Sequence, residues 1–308
     1  MPLIDEQTRG VMVIAVTPFS PDGSVDYDSV DRMCDFYYEK GADGLTILGI
    51  MGEAPKLTAE ESRKVVERVI ARSGDKPVVV GVSSPGIAAL RDLSSAAMDM
   101  GAAGVMVAPP GSLKTDPQIV DYYATVAEAL GGETPIVLQD FPLTTGVQLS
   151  NPALNAIVQG VPSVKMLKHE DWPGLAKITA LRKAEAAGQR RISILCGNGG
   201  SFLPEECERG ADGAMTGFGF PEMMVDVVRL VAEGNMERAL DIFDAYLPMV
   251  RYEMQPGAGL AVRKHVLAKR GAIAHPTIRK PGGPLAPEAM REVDRMIARQ
   301  EKRLAELG

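Results

Sequence analysis

Gly41-Ala42-Asp43-Gly44-Leu45-Thr46-Ile47-Leu48 decides how this chain folds. A helical stretch precedes it and an apolar one follows. The first glycine can take the left-handed conformation that ends a helix, and the second opens a strand. The signature returns as Gly101-Ala102-Ala103-Gly104 and Gly210-Ala211-Asp212-Gly213, again between a helical and an apolar stretch. Working outward, eight short runs rich in Val, Ile and Leu lie at 11–16, 44–48, 77–82, 104–108, 135–139, 164–168, 192–196 and 213–216. Near-continuous apolar strands suit a parallel sheet buried on both faces. Helical patterns fill the gaps. Thr58-Ala59-Glu60-Glu61 opens one with a threonine cap and acids in its first turn, and Val65, Val66, Val69 and Ile70 give its apolar stripe.

A βα unit repeated eight times predicts a (β/α)8 TIM barrel with a C-terminal helical extension. An open doubly wound sheet is disfavoured, because Thr17-Pro18-Phe19 follows the first strand where a glycine-rich dinucleotide turn would stand. The barrel is expected to occupy residues 1–235. Residues 236–308 read as helices packed on its outside, including 236–250 and 287–307, joined by the turn-rich 278–284.

Bulk properties narrow the function. The chain has 308 residues, 45% hydrophobic and 24% charged, with a formal charge of −7. That balance argues against a nucleic-acid partner and fits a protein handling small molecules. Cys34, Cys196 and Cys207 form neither a disulfide framework nor a CxxC site, so a reducing cytoplasm is expected, with Cys196 and Cys207 as buried thiols. The N-terminus lacks a signal-peptide layout, and no apolar run reaches membrane-spanning length. Three histidines far apart give no metal site.

Barrel enzymes work at the C-terminal ends of their strands. Here those ends carry Thr17, the segment 49–53 (Gly49, Ile50, Met51, Gly52 and Glu53), Ser83-Ser84, Pro109-Pro110-Gly111, Gln139-Asp140, Lys168-His169-Glu170, Gly197-Asn198 and Thr216-Gly217. Lysine occurs once in this set. Lys168, behind an apolar run, is therefore the expected nucleophile, its amine activated by partial desolvation. Strand alternation sends His169 and Lys165 to the opposite face and returns Glu170 to the inner one.

Taken together, the stretch 10–19, Gly49-Ile50-Met51-Gly52-Glu53, Leu167-Lys168-His169-Glu170, Cys196-Gly197-Asn198 and the stretch 210–216 resemble the dihydrodipicolinate synthase / N-acetylneuraminate lyase family in order and spacing, over essentially the whole chain. The resemblance implies a Schiff-base lyase in which Lys168 forms an imine with a 2-oxo acid, needing no metal or organic cofactor. It implies that backbone N–H groups around Ile50 and Met51 hold the substrate carboxylate, and it places Met51 and Met215 at substrate-contact positions. Gln139, Asp140 and Gly197 complete the expected substrate-binding set, with Glu53 anchoring its loop through backbone N–H groups. A homotetramer is implied too, although a dimer stays open because the aromatic pair that reaches a neighbour's site is replaced by Pro110-Gly111.

The departures favour one branch. Ile50 and Met51 stand where the family has hydroxyl residues, Gln139 stands for its proton-carrying tyrosine, and Thr144 for the arginine of a synthase. The start of the segment after the fifth strand, the stretch 213–221 and Leu247-Pro248 are similar to dehydratases of 2-oxo-3-deoxy sugar acids, such as the 2-keto-3-deoxy-L-arabonate type. A sugar-acid dehydratase or aldolase is expected, with a synthase-like aldol condensation with pyruvate as the alternative. Glu53, Asp140, His169 and Glu170 are the titratable candidates for moving protons, and the sequence does not choose among them. Two rivals come from other classes: an oxo-acid-binding barrel without turnover, and an isomerase with a phosphate site at Gly197–Gly200 and Gly217–Gly219.

Overall fold

The computed structural model describes residues 2–308. Among them, eight parallel strands close into a barrel in chain order: β1 (Gly10–Ile14), β2 (Gly44–Ile47), β3 (Val78–Gly81), β4 (Gly104–Val107), β5 (Ile136–Asp140), β6 (Val164–His169), β7 (Ser193–Cys196) and β8 (Gly213–Ala214). The predicted barrel is thus the observed fold. The last run is shorter as a strand than its apolar pattern suggests, but pairing continues past it: Met215 N–H donates to the Cys196 carbonyl at 2.8 Å and Ile14 N–H to that of Thr216 at 2.9 Å.

Two apolar layers explain why the strands are apolar on both faces. Met12, Ile14, Val79, Met106, Val137, Met166, Leu195 and Met215 fill the barrel interior. Val11, Val13, Leu45, Val80, Val105, Leu138, Leu167, Ile194 and Cys196 point outward onto the helices. Each such fully buried aliphatic side chain is worth roughly 1.5–3 kcal/mol, so the alternation fixes the register of every strand.

The glycine signature behaves as read. Gly41, Gly101 and Gly210 take φ of 89°, 101° and 100° at the helix ends. Gly213 is needed for closure itself, since a Cβ there would lie 2.0 Å from the Gly10 carbonyl oxygen. The helix Ala59–Ser73 carries its capping box: Thr58 Oγ1 accepts from Glu61 N–H and Glu61 Oε2 from Thr58 N–H. After the barrel, Met236–Glu253 packs on Pro221–Ala232 and on the terminal helix Pro287–Leu307. Gly259–Lys269 lies between them in sequence and sends Lys264 inward, 0% exposed. No helix among the described residues is long and apolar enough to cross a membrane.

Cys34 and Cys196 are buried, whereas Cys207 is half-buried. Beside Cys196, Glu206 is buried with Oε2 lacking a partner. Burial pushes its pKa from 4.5 to about 8. Across that window the folded chain keeps a proton that the unfolded chain has released. Glu206 therefore destabilises the fold progressively as pH rises, by up to about 1.4 kcal/mol per unit. Glu206→Gln is expected to be more stabilising at pH 8 than at pH 5, by about 3–4 kcal/mol. Urea midpoints of both proteins at the two pH values check this.

Candidate active site

Register places the central residues. Gln139 pairs with Lys168 and Asp140 with His169 across β5 and β6, while Lys168 faces Leu195 and His169 faces Cys196 across β6 and β7. Leu195 lies in the barrel interior and Cys196 outside it. Gln139 and Lys168 therefore point inward, and Asp140 and His169 point to the helices. Glu170, one step beyond, turns inward again.

Lys168, Glu170 and Gln139 meet there, all three buried. Glu170 Oε2 lies 3.0 Å from Lys168 Nζ and accepts from Gln139 Nε2 at 2.8 Å. One carboxylate oxygen thus takes the Gln139 hydrogen bond and the Lys168 ion pair together. The other oxygen lies against Gly197, where a Cβ would come within 2.6 Å of Oε1 and 2.2 Å of Glu170 Cγ. Gly197 is small so that this carboxylate can stand beside the lysine. Of the proton carriers considered from the sequence, Glu170 alone lies on Lys168.

Asp140, expected in the substrate site, lies outside it. Its side chain is fully buried on the outer face, where Lys177 Nζ donates to Oδ2 at 2.6 Å. The same ammonium meets Asp171 at 2.6 Å and donates to the Leu149 carbonyl at 2.8 Å. Burial pushes the Asp140 pKa up to about 6 against the pull of Lys177. Alternation explains the placement, because adjacent residues of a strand cannot both face the barrel axis. His169 lies on the outer face, as alternation predicts: burial, with Lys177 nearby, pulls its pKa down to about 4, and Nε2 lies 3.1 Å from the Gly174 carbonyl. Lys165 points elsewhere and pairs with Glu6 at 2.9 Å.

The segment 49–53 forms a single tight turn over the barrel mouth. Gly52 N–H donates to the Gly49 carbonyl at 3.0 Å and Glu53 N–H to that of Ile50 at 3.1 Å. The N–H groups of Ile50 and Met51 precede those bonds, so the turn itself gives them no acceptor. Ile50 is exposed, and Met51 packs on the interior cluster that holds Met215. Met215 is itself fully buried. The loop's left-handed residues are Leu48 and Glu53, both at φ 54°, and not the glycines. A Cβ at Gly49 or Gly52 would come no closer than 3.5 Å to protein. Glu53 does anchor the loop, but its carboxylate takes two ammonium groups, Lys264 at 2.6 Å and Lys56 at 2.7 Å. Its one backbone donor is Arg279, 226 residues away.

Two observations bear on other chemistry. Several of the backbone donors in the two glycine segments already have protein acceptors: Gly199 N–H donates to Thr216 Oγ1, Gly200 N–H to the Gly197 carbonyl and Gly219 N–H to Glu253. A cavity of about 600 Å³ opens outside the barrel among Trp172, Leu175, Phe202 and Glu206, but neither Lys168 nor Gln139 lines it. Lys177 and Lys264 were not singled out from sequence. Each acquires its partners only through contacts made across the fold.

The family model described as the Dihydrodipicolinate synthetase family matches residues 7–300. An L-2-keto-3-deoxyarabonate dehydratase of Azospirillum brasilense is 33% identical over 294 residues, covering 92% of each chain. A 4-hydroxy-tetrahydrodipicolinate synthase of Methanothrix thermoacetophila is 30% identical over 246 residues, covering 79% of this chain and 81% of its own. Among solved structures, a dihydrodipicolinate synthase from Rhodopseudomonas palustris superposes with a TM-score of 0.96 at 52% identity, covering 97% of this chain and all of that one.

Proposed function

This chain belongs to the dihydrodipicolinate synthetase family, and from that premise we propose that it is a Schiff-base lyase that dehydrates a 2-oxo-3-deoxy sugar acid. The observation that carries the reading is Glu170 Oε2 standing 3.0 Å from Lys168 Nζ inside the barrel mouth. Lyase chemistry in general is what the family shares; the substrate is our inference.

In this reading Glu170 takes a proton from the Lys168 ammonium, and the free amine adds to C2 of the oxo acid. Glu170 returns the proton to the C2 hydroxyl, which leaves as water and gives the imine. C3 is then two bonds, about 2.5 Å, from Nζ, within reach of the same carboxylate. Removal of a C3 proton gives an enamine, whose electrons expel the C4 hydroxyl as water when Glu170 protonates it. Hydrolysis of the unsaturated imine frees the lysine. Gln139 has no proton to exchange and keeps the carboxylate oriented. The N–H groups of Ile50 and Met51 hold the substrate carboxylate, as in the resemblance.

A second reading, aldol addition of the pyruvate enamine to an aldehyde, is favoured by the synthase name of the 52% identical structure. Against it stand Gln139 for the tyrosine, Thr144 for the arginine and Pro110-Gly111 for the aromatic pair. The phosphate-isomerase reading loses support because Gly199 and Gly219 N–H already donate within the protein, the latter to the Glu253 carboxylate, which would repel an anion there. Association into a homo-oligomer rests on the family likeness alone.

Borohydride trapping with pyruvate and with a 2-oxo-3-deoxy pentonate, followed by peptide mass spectrometry, tests the reading. A reduced adduct is expected on Lys168 with both compounds, and turnover of the sugar acid without release of pyruvate. Release of pyruvate would make the enzyme an aldolase, and condensation with aspartate semialdehyde would favour the second reading. No adduct with either compound would sink the imine mechanism.

A further inference from the structure

Resting on the reading of residues 49–53 as the holder of the substrate carboxylate, we propose that Lys264 is a positioning residue for that loop, through which the C-terminal segment sets how well a 2-oxo acid is bound. The loop is bracketed by two non-glycine residues in the left-handed region, Leu48 and Glu53. Such backbone persists only where its surroundings over-determine it. At Glu53 they do, since Oε1 accepts from Lys264 at 2.6 Å and Oε2 from Lys56 at 2.7 Å and from Arg279 N–H at 3.1 Å.

Lys264 spends its other two donors on the Thr17 carbonyl at 2.7 Å and the Thr277 carbonyl at 2.8 Å. Its ammonium also lies 4.4 Å from the centre of the Phe19 ring. All three N–H groups are thus used, and they join three separate pieces: the end of β1, the end of the loop, and the strap that follows Gly259–Lys269. Thr17 Oγ1 adds a bond to the Gly52 carbonyl at 2.6 Å, so the last two loop residues are gripped from both sides. Burial pulls the Lys264 pKa down to about 8, with Glu53 opposing the fall. The turn that presents the N–H groups of Ile50 and Met51 ends at Glu53. Moving that residue rotates the turn, and the donors with it.

The test compares pyruvate with its neutral methyl ester. Both can form an imine, but only pyruvate offers a carboxylate. Half-saturating concentrations for borohydride trapping are measured for the unaltered protein and for Lys264→Met. The preference for acid over ester is expected to fall by about tenfold, while the maximal trapping rate stays within about threefold. A folded Lys264→Met protein with its preference intact would overturn the proposal. Should that variant fail to fold, Lys56→Met carries the test, because it removes a more exposed anchor of the same carboxylate. A loss of about threefold in preference supports the proposal, and an unchanged preference overturns it. An unaltered protein that forms no adduct, or shows no preference for the acid, would instead strike the underlying reading of Lys168 or of the loop.

Discussion

Lys168→Arg is expected to lose turnover by about 10⁴-fold or more, equivalent to roughly 5.5 kcal/mol of transition-state stabilisation, while folding as before. The arginine keeps a positive charge facing Glu170, so no carboxylate is left buried without a partner. What it cannot do is give up a proton and attack a carbonyl, because the guanidinium stays protonated in proteins. Charge and nucleophilicity are thereby separated. Initial rates with the 2-oxo-3-deoxy sugar acid, beside a thermal melt within a few degrees of the unaltered protein, are the measurement. Substantial residual turnover would mean that the lysine serves only as a cation, and the binding-barrel reading would gain.

Glu170→Gln is the second large effect, with a fall in kcat of about 10² to 10³-fold, in the range that a positioned acid or base supplies. The amide fills the same space beside Gly197, whose missing Cβ leaves room for the side chain at 170. Its oxygen can still accept from Gln139 or Lys168, but it holds no exchangeable proton of use at neutral pH. The expected signature separates steps: the reduced pyruvate adduct still forms on Lys168, more slowly, while exchange of the pyruvate C3 hydrogens with deuterated water is nearly lost. Exchange at the normal rate would remove Glu170 from proton transfer at C3. The base would then have to come from elsewhere, for Asp140 and His169 face the helices.

The barrel was legible because its signals are local. Helix-ending glycines, apolar runs and the Thr58 cap each act within a few residues, and eight repeats of one unit admit few architectures. Lys168 was legible for the same reason: a strand-end position read off the apolar run, and the only lysine among those ends. Asp140 shows a signal present and not applied. It follows Gln139 directly, so a period of two already assigned the two residues to opposite faces. Glu170 was legible in direction only, since alternation turned it inward without saying what it would meet.

The amino-acid sequence by itself determined the strand and helix pattern, the inward direction of Lys168 and Glu170, and the family to which the chain belongs. Only the tertiary structure decided that Glu170 pairs with Lys168 while Gln139 donates to the same oxygen, that Lys177 holds Asp140 from behind, and that Lys264 grips Glu53. The physical reason is range. Periodicity and caps are settled by neighbours along the chain, whereas the partner of a buried charge is whichever group the closed barrel brings beside it, here 37 residues away for Lys177 and 211 for Lys264.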